Sequence, residues 1–484
     1  MSGMKKKIAI IGAGVGGLSA ACRLARFGYE VEVFEKLPRC GGRNNIIEER
    51  GFKFDTGPSF VLMPDFFSEV FSYCQEDIND YLDLRTLDIN YKIFFPDGDT
   101  LVVHKDPQKT IRELERIEPG STRGFEAFIK ETAEIYREVK PLLYRCFTLG
   151  DAFRPSSLKL IGKIKVFDTY WKLARRFFKS EKLCFAFTFE AMFMGVSPFD
   201  APAFYSIITY TDHVENIRHP MGGMYEIPLA LEKMAKKFGA RFFYGQQITG
   251  LYKEKGLFVL NSAAGKTTAT HVIINADYAY AQSELLKRRI PEYNYSCSVY
   301  LVYLGLKKKI KGLEHHNLFF SGDLKKNLRE IFKKKAFPQD PSFYVHVPTV
   351  TDPSLAPEGK DILYLLIPVP NSKDFPDNFS ACEKKLRDAV FNKIKQVIGE
   401  ELQPLIEIER RFYPQDFISR YNIKHAATFG LAHNLMQSAF LRPANFDRKL
   451  KNLYFVGAST QPGGGLPVVI AGSRIVADLI NSRG

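Results

Sequence analysis

Four apolar residues, Ile8-Ala9-Ile10-Ile11, run without a break into Gly12-Ala13-Gly14-Val15-Gly16-Gly17, and this junction constrains the fold more than any other stretch of the 484-residue chain. The run is short and apolar throughout, which predicts a strand buried on both faces of a parallel sheet. Glycines stand at the first, third and sixth places of G-x-G-x-x-G. Helical spacing over 18–27 puts Leu18, Cys22, Leu24 and Ala25 on an inner face, and Gly28 stops that helix. Glu30-Val31-Glu32-Val33-Phe34 then alternates as a second strand and delivers Glu35 to its carboxyl end.

Each residue type in this unit has a physical task. Gly12 permits a tight turn, Gly14 lets a diphosphate approach the backbone, and Gly17 lets helix and strand pack closely. The diphosphate then meets free N–H groups and the positive end of the helix dipole. Glu35 follows the fingerprint by about 20 residues, where a carboxylate accepts both hydroxyls of a ribose. A glycine-rich turn alone is weak evidence. Strand, fingerprint, helix, strand and acid in order predict a dinucleotide site.

Two further motifs follow closely: Arg39-Cys40-Gly41-Gly42-Arg43, and Phe54-Asp55-Thr56-Gly57-Pro58-Ser59. With them the sequence resembles the flavin-dependent amine oxidase and carotenoid desaturase superfamily, in which the second strand ends in an acid and runs into a G-G-R turn. The resemblance implies that Arg43 contacts the diphosphate of FAD, a task suited to a planar fork of donors.

Composition narrows the class. A chain of this length exceeds one simple core, so two or three domains are expected. The seven cysteines are odd in number and show no CxxC pairing, which argues against a disulfide framework or a structural zinc site and fits a reducing, cytoplasmic setting. Residues 1–7 are charged and are not a signal peptide. No window reaches the roughly 18 apolar residues of a membrane span. Yet the net charge is +14, and Phe and Tyr number 41 and 23. A basic, aromatic-rich chain without a span points to attachment on an anionic membrane surface. Nucleic acid is the competing partner for such charge, and no motif supports it.

Farther along, 61–81 reads as helical, and 91–95 with 100–104 reads as a hairpin across Pro96-Asp97-Gly98-Asp99. Asp106 and Pro107 open a helix. Residues 159–182 interleave Lys159, Lys163, Lys165, Lys172, Arg175, Arg176, Lys179 and Lys182 with Leu160, Ile164, Phe167, Trp171, Phe177 and Phe178. This stretch suits either a core helix with a charged outer face or an interfacial helix, aromatics at headgroup level and lysines reaching outward. Pro220-Met221-Gly222-Gly223-Met224 leads into a helix, and four strands follow between 241 and 274, ending at Asn275-Ala276-Asp277. Strands are expected over 298–306 and 363–369. His315 and His316 are adjacent and lack a carboxylate at ligand spacing, so they read as structural and no metal is expected. Finally, Leu453-Tyr454-Phe455-Val456 enters Gly457-Ala458-Ser459-Thr460-Gln461-Pro462-Gly463-Gly464-Gly465-Leu466-Pro467, and 468–480 closes the chain as a helix. Such a loop lets backbone approach a flat ring, while the helix N-terminus faces the ring's electron-rich edge.

Within the superfamily the likeness narrows to bacterial phytoene desaturases and related carotenoid oxidoreductases. It rests on 54–60, 220–224, 315–320, 340–357, 437–443 and the C-terminal glycine loop. One departure stands out: the family usually has histidine before the loop proline and often G-A-G-I-P-G, where this chain has Gln461 and Gly463-Gly464-Gly465-Leu466-Pro467-Val468. The resemblance implies an α/β fold. A Rossmann-like FAD-binding domain would be assembled from 1–70, 216–285 and 443–484, with a helical membrane-facing region at 71–215 and a mixed β substrate domain at 286–442. It implies FAD contacts from Gly12, Gly14, Gly17, Glu35, Lys36, Arg43, Gly57, Pro58, the backbone at Ile248, Gly457, Gly464, Gly465, Pro467 and Val468. Arg442, His346 and Asp277 are the family-matched polar candidates for catalysis.

The implied reaction is desaturation of a linear, phytoene-like polyene, a long-chain isoprenoid hydrocarbon, by hydride removal to flavin N5, with a quinone as candidate electron acceptor. The alternatives are a C30 diapocarotenoid desaturase, a carotenoid terminal-methyl oxidase or ketolase, and a non-enzymatic isoprenoid-binding escort protein. A flavin absorption spectrum separates the last from the others; product analysis separates the rest.

Overall fold

The computed structural model describes residues 6–152, 160, 162–374 and 379–482. The opening strand, Lys7–Ile11, lies at the centre of a five-stranded parallel sheet. Across it the order is Leu453–Phe455, His271–Ile274, Lys7–Ile11, Glu30–Phe34, Arg241–Phe243. Strands from the beginning, middle and end of the chain therefore share one sheet. The helix after the fingerprint spans Val15–Arg26, three residues earlier than the apolar spacing suggested. Its N-cap is Gly14, which brings no side chain, and Leu18 N donates to Gly14 O at 2.9 Å. Apolar spacing cannot register such a start, because glycines carry no side chain to pattern. The closing helix, Leu466–Ser482, packs against Val15–Arg26. Between them Arg23 is fully buried, donating from Nη1 to Glu69 Oε1 at 3.0 Å and from Nε to Ser473 Oγ at 3.2 Å.

Ile248–Glu254, Leu257–Ser262 and Gly265–Ala269 form a small antiparallel sheet beside this one. A mixed seven-stranded sheet makes the other layer, in the order Ile406–Phe412, Ser298–Leu306, Asp361–Val369, Phe343–His346, His316–Phe319, Ile89–Phe94, Thr100–His104. Its central strands are buried on both faces, and period-2 alternation sorts their side chains. Tyr300, Val302, Leu304, Leu363, Leu365 and Ile367 pack with Leu386, Val390 and Ile394 of the helix Phe379–Ile398. Val299, Leu301, Tyr364 and Leu366 face the opposite side, where the cavity lies. The hairpin expected near 91–104 forms, and it joins this sheet through parallel pairing of Ile89–Phe94 with His316–Phe319. The helix opened by Asp106 spans Pro107–Ile117, and Asp106 accepts a hydrogen bond from Gln108 N.

The basic aromatic stretch 159–182 differs from both of its readings. Lys159 lies outside the described residues. Among those described, residues 160, 162 and 163 are helical, 164–168 is a turn, and Tyr170–Ala174 is a short helix before Glu181–Ala186 begins. Phe178 is fully buried and stacks on Phe187 at 4.6 Å, while the Trp171 ring lies 4.5 Å from Phe185 and 4.9 Å from Phe199. The aromatics at 185–199 thus take up Trp171 and Phe178 as packing partners, and Phe177 packs on Phe128 at 5.6 Å, so these three are not the outward anchors of an interfacial helix. Phe167, in the turn, is the exception at 79% exposed. No helix among the described residues is long and apolar enough to cross a membrane.

Candidate functional site

The geometry of the site follows from the first turn of the chain. Gly12 adopts φ +103°, and a Cβ there would lie 2.4 Å from Asn275 O. Asn275, at the end of the neighbouring strand, donates from Nδ2 to Gly12 O at 3.1 Å and so fixes the loop from the other side. The helix after it has no acid in its first turn and no side-chain cap, leaving its N–H groups available to an anion. Glu35 accepts from Ala13 N and Leu37 N, both at 2.8 Å, and burial raises its pKa.

These groups line one end of a cavity of about 870 Å³. Of the expected cofactor residues, Gly12, Gly14, Glu35, Lys36, Arg43, Gly57, Pro58, Ile248, Gly457, Gly464, Gly465, Pro467 and Val468 all line it. Gly17 does not; it lies behind the loop, where a Cβ would meet Gly12 O at 2.2 Å. Lys36 is held by Ser419 O at 2.8 Å and Asn422 Oδ1 at 3.0 Å. Arg43 donates from Nη1 to Thr428 O; burial lowers its pKa, and the charge of Asp277 opposes that shift. Asp277 also lines the cavity and caps a short helix by accepting from Tyr280 N at 3.0 Å. Burial raises its pKa, against the N–H of Tyr280 and the charge of Arg43. Asp55, from the Phe54–Ser59 motif, accepts from Met224 N at 2.8 Å and Tyr225 N at 3.1 Å, tying that motif to the glycine turn at 220–224. Burial pushes Asp55 up to about 6.

The rest of the cavity is hydrocarbon in character. Phe60, Leu143, Phe189, Phe193, Ile208, Val299, Leu301, Leu366 and Phe429 line it, and the sheet's alternation supplies its floor. Phe167, Met436 and Leu441 line it as well while remaining exposed, Phe167 at 79% and Met436 at 69%.

Two of the three expected catalytic residues lie elsewhere. Arg442 is buried and off the cavity. It donates to the carbonyls of Thr460 at 3.1 Å, Leu431 at 3.1 Å, Gln437 at 2.9 Å and Ala458 at 2.5 Å, so its fork braces the C-terminal glycine loop from behind. His346 is likewise buried off the cavity, its Nε2 3.0 Å from Nε2 of His315. Neither can touch a molecule in the cavity.

Two residues that do touch it were not foreseen as site groups. Gly464 N donates to His433 Nε2 at 2.9 Å, so this buried imidazole, its pKa lowered by burial, sets the loop at Gly463-Gly464. Gln461 Oε1 accepts from Phe147 N at 2.6 Å and its Nε2 donates to Phe147 O at 3.0 Å, locking the loop to the segment before Leu149–Ala152. The Gln461 position was visible as a departure from the family pattern; no local signal marked His433.

Residues 15–481 match the family of flavin-containing amine oxidoreductases. A zeta-carotene-forming phytoene desaturase of Myxococcus xanthus is 40% identical, the match covering 98% of this chain and 93% of that protein. A 4,4'-diapophytoene desaturase of Staphylococcus aureus is 34% identical, covering 98% of each. Among solved structures, an oxidoreductase from Methanosarcina mazei superposes with a TM-score of 0.63 over 98% of this chain and all of that one, at 18% identity, which speaks for the fold alone.

Proposed function

This chain belongs to the carotenoid desaturases within the flavin-containing amine oxidoreductases, and from that premise we propose that it desaturates a linear, phytoene-like isoprenoid hydrocarbon. The observation that carries the reading is a single cavity with a glycine-lined, polar end and a long apolar remainder. The polar end fits FAD. An uncapped helix start is ready for the diphosphate, Glu35 stands where a ribose would lie, and Arg43 is close enough to Asp277 to feel its charge. Gly12, Gly14, Glu35, Lys36, Arg43, Gly57, Pro58 and Ile248 would hold the adenosine and diphosphate part in this Rossmann-like unit. Gly457, Gly464, Gly465, Pro467 and Val468 would face the ring, with Gly17 shaping the loop. When bound, the flavin would supply at N5 the acceptor for a hydride from a carbon beside existing double bonds, the neighbouring carbon losing a proton to solvent so that the new double bond forms.

The chain's own residues then have mainly to align the hydrocarbon and keep water out. Val299, Leu301, Leu366 and Phe193 provide that wall. The lining carboxylates Glu35, Asp277 and Asp151 each accept a backbone N–H bond, so none of them stands out as an obligatory base. Arg442 we assign to positioning the C-terminal loop, and Asp277 to balancing Arg43.

The substrate also fixes where the protein must work. Exposing about 40 carbons to water, at about 0.8 kcal/mol per CH₂-sized group, costs on the order of 30 kcal/mol. The exposed rim of Phe167, Met436 and Leu441 is therefore the mouth through which the chain passes from a membrane surface. A membrane quinone is the electron acceptor this reading assigns.

The reading is tested by expressing the protein in hosts making phytoene or the C30 diapophytoene, and by anaerobic turnover with an added quinone. A more conjugated C40 hydrocarbon without added oxygen is expected. Conversion of the C30 precursor alone would assign the shorter chain, and aldehydes or alcohols as sole products would assign a terminal-methyl oxidase.

A further inference from the structure

Outside the cavity, four side chains from distant parts of the sequence meet in the interior. They are His219 from the strand Arg218–Pro220, His315 just before His316–Phe319, His346 at the end of Phe343–His346, and Asp352 from the loop that follows. All four are at most 3% exposed, and none lines the cavity. One ligand atom from each histidine lies within 4.8 Å of the other two. His315 Nε2 and His346 Nε2 are 3.0 Å apart, and His219 Nε2 is 3.5 Å from Asp352 Oδ2. Among the described residues, neither ring nitrogen of His219 has a hydrogen-bond partner, although the residue is wholly buried. Buried polar atoms in folded proteins are nearly always partnered, so this imidazole calls for a group beyond the side chains around it.

We propose that His219, His315 and His346 bind a divalent transition-metal ion, zinc foremost, with Asp352 Oδ2, 3.5 Å from His219 Nε2, holding the His219 ring from outside. Imidazole nitrogens about 2.0–2.1 Å from zinc stand about 3.3 Å apart at the corners of a tetrahedron; the His315–His346 pair is at 3.0 Å, and all three histidine ligand atoms lie within 4.8 Å of one another. His315 also has the outer support of a metal-bound imidazole: its Nδ1 lies 2.7 Å from Thr351 Oγ1, which fixes the ring and leaves Nε2 to the ion. The three histidines are buried and none of them lines the cavity, so the ion is structural. Its place in the fold shows what it would hold. Asp352 Oδ2 already accepts from Gly222 N at 2.6 Å, in the turn before the helix Glu226–Lys237, while His315 and His346 belong to the seven-stranded sheet. The ion fastens the return to the nucleotide sheet onto the sheet that floors the cavity. Adjacency of His315 and His316 concealed this arrangement, because the partners of His315 are His346 and His219 rather than its neighbour.

The test uses the flavin-loaded protein, produced in zinc-supplemented medium and purified without a metal-affinity resin. Mass-spectrometric elemental analysis after dialysis should find about one zinc per chain, and zinc-edge X-ray absorption should show three imidazole nitrogens. His219→Gln and, as the variant milder on the fold, Asp352→Asn should each lose most of the metal while retaining flavin absorbance. Less than about a tenth of a transition-metal ion per chain in the parent protein would overturn the proposal and leave a buried water as the partner of His219. Full metal content in both variants would overturn it equally.

Discussion

Gly17→Ala isolates the role of one atom. The Cβ it adds would lie 2.2 Å from Gly12 O and 2.9 Å from Asn275 Nδ2. Neither is the tip of a flexible side chain: the carbonyl belongs to the fingerprint loop, and the amide donates to that same carbonyl at 3.1 Å. To reach an ordinary carbon–oxygen contact, the first helical turn must move from the loop by roughly 1 Å, since interiors are close-packed. Overpacking of this kind costs about 1–3 kcal/mol, which lowers the melting temperature by several degrees. The same displacement moves the helix N–H groups away from the flavin diphosphate. Losing one charge-assisted hydrogen bond there costs about 1.5–3 kcal/mol, weakening FAD by roughly 10- to 150-fold. The assays are the ratio of flavin to protein absorbance after gel filtration and a thermal melt, with Gly162→Ala as control, because nothing lies within 4 Å of a Cβ there. Full flavin content with the parent melting temperature in Gly17→Ala would refute the argument that close approach dictates this glycine.

Three further outcomes are expected. Arg43→Ala should lower flavin retention by at least about tenfold while leaving the circular dichroism spectrum unchanged, because it removes a charged donor and not a packing contact; dialysis against flavin-free buffer measures it. Glu190 and Asp212 are buried together, and burial raises both carboxyls, so the folded state keeps protons that the unfolded chain has lost. Their contribution is complete below the ordinary carboxylate range and is lost as pH rises through their raised values. Melting temperature should therefore fall from pH 6 toward pH 9 and fall less in Glu190→Gln; equal slopes would count against a protonated pair. Phe167→Ser with Met436→Ser should weaken binding to anionic liposomes by about 2–5 kcal/mol without loss of flavin. Reversal of Lys172, Arg175, Arg176 and Lys179 to Glu should act only through salt-sensitive attraction; undiminished binding in the serine variant would place the membrane contact elsewhere.

What the sequence disclosed, and what it did not, divides by range of interaction. The opening strand, Val15–Arg26, Glu30–Phe34 and the hairpin at 89–104 were legible because their causes are local: apolar period, glycine placement, and a turn of Pro-Asp-Gly-Asp between alternating runs. The same local logic gave Glu35 and the glycines of both loops, and the family resemblance supplied Arg43; Glu35, Arg43, Gly12 and Gly464 come to one cavity although Gly12 and Gly464 lie at opposite ends of the chain. Residues whose role comes from a distant partner carried no such mark. Trp171, Phe177 and Phe178 read as well for a membrane as for a core, and only the distant aromatics at 128 and 185–199 decide between the two. Arg442 looked chemical because it is a charged residue in a shared motif. Its carbonyl partners at 431–460 make it a brace instead, since a guanidinium with five donors can organise a loop that has no side chains of its own to do so. The glycines that let the backbone approach a ring thus create the need for Arg442, and His433 at Gly464 meets the same need from the cavity side.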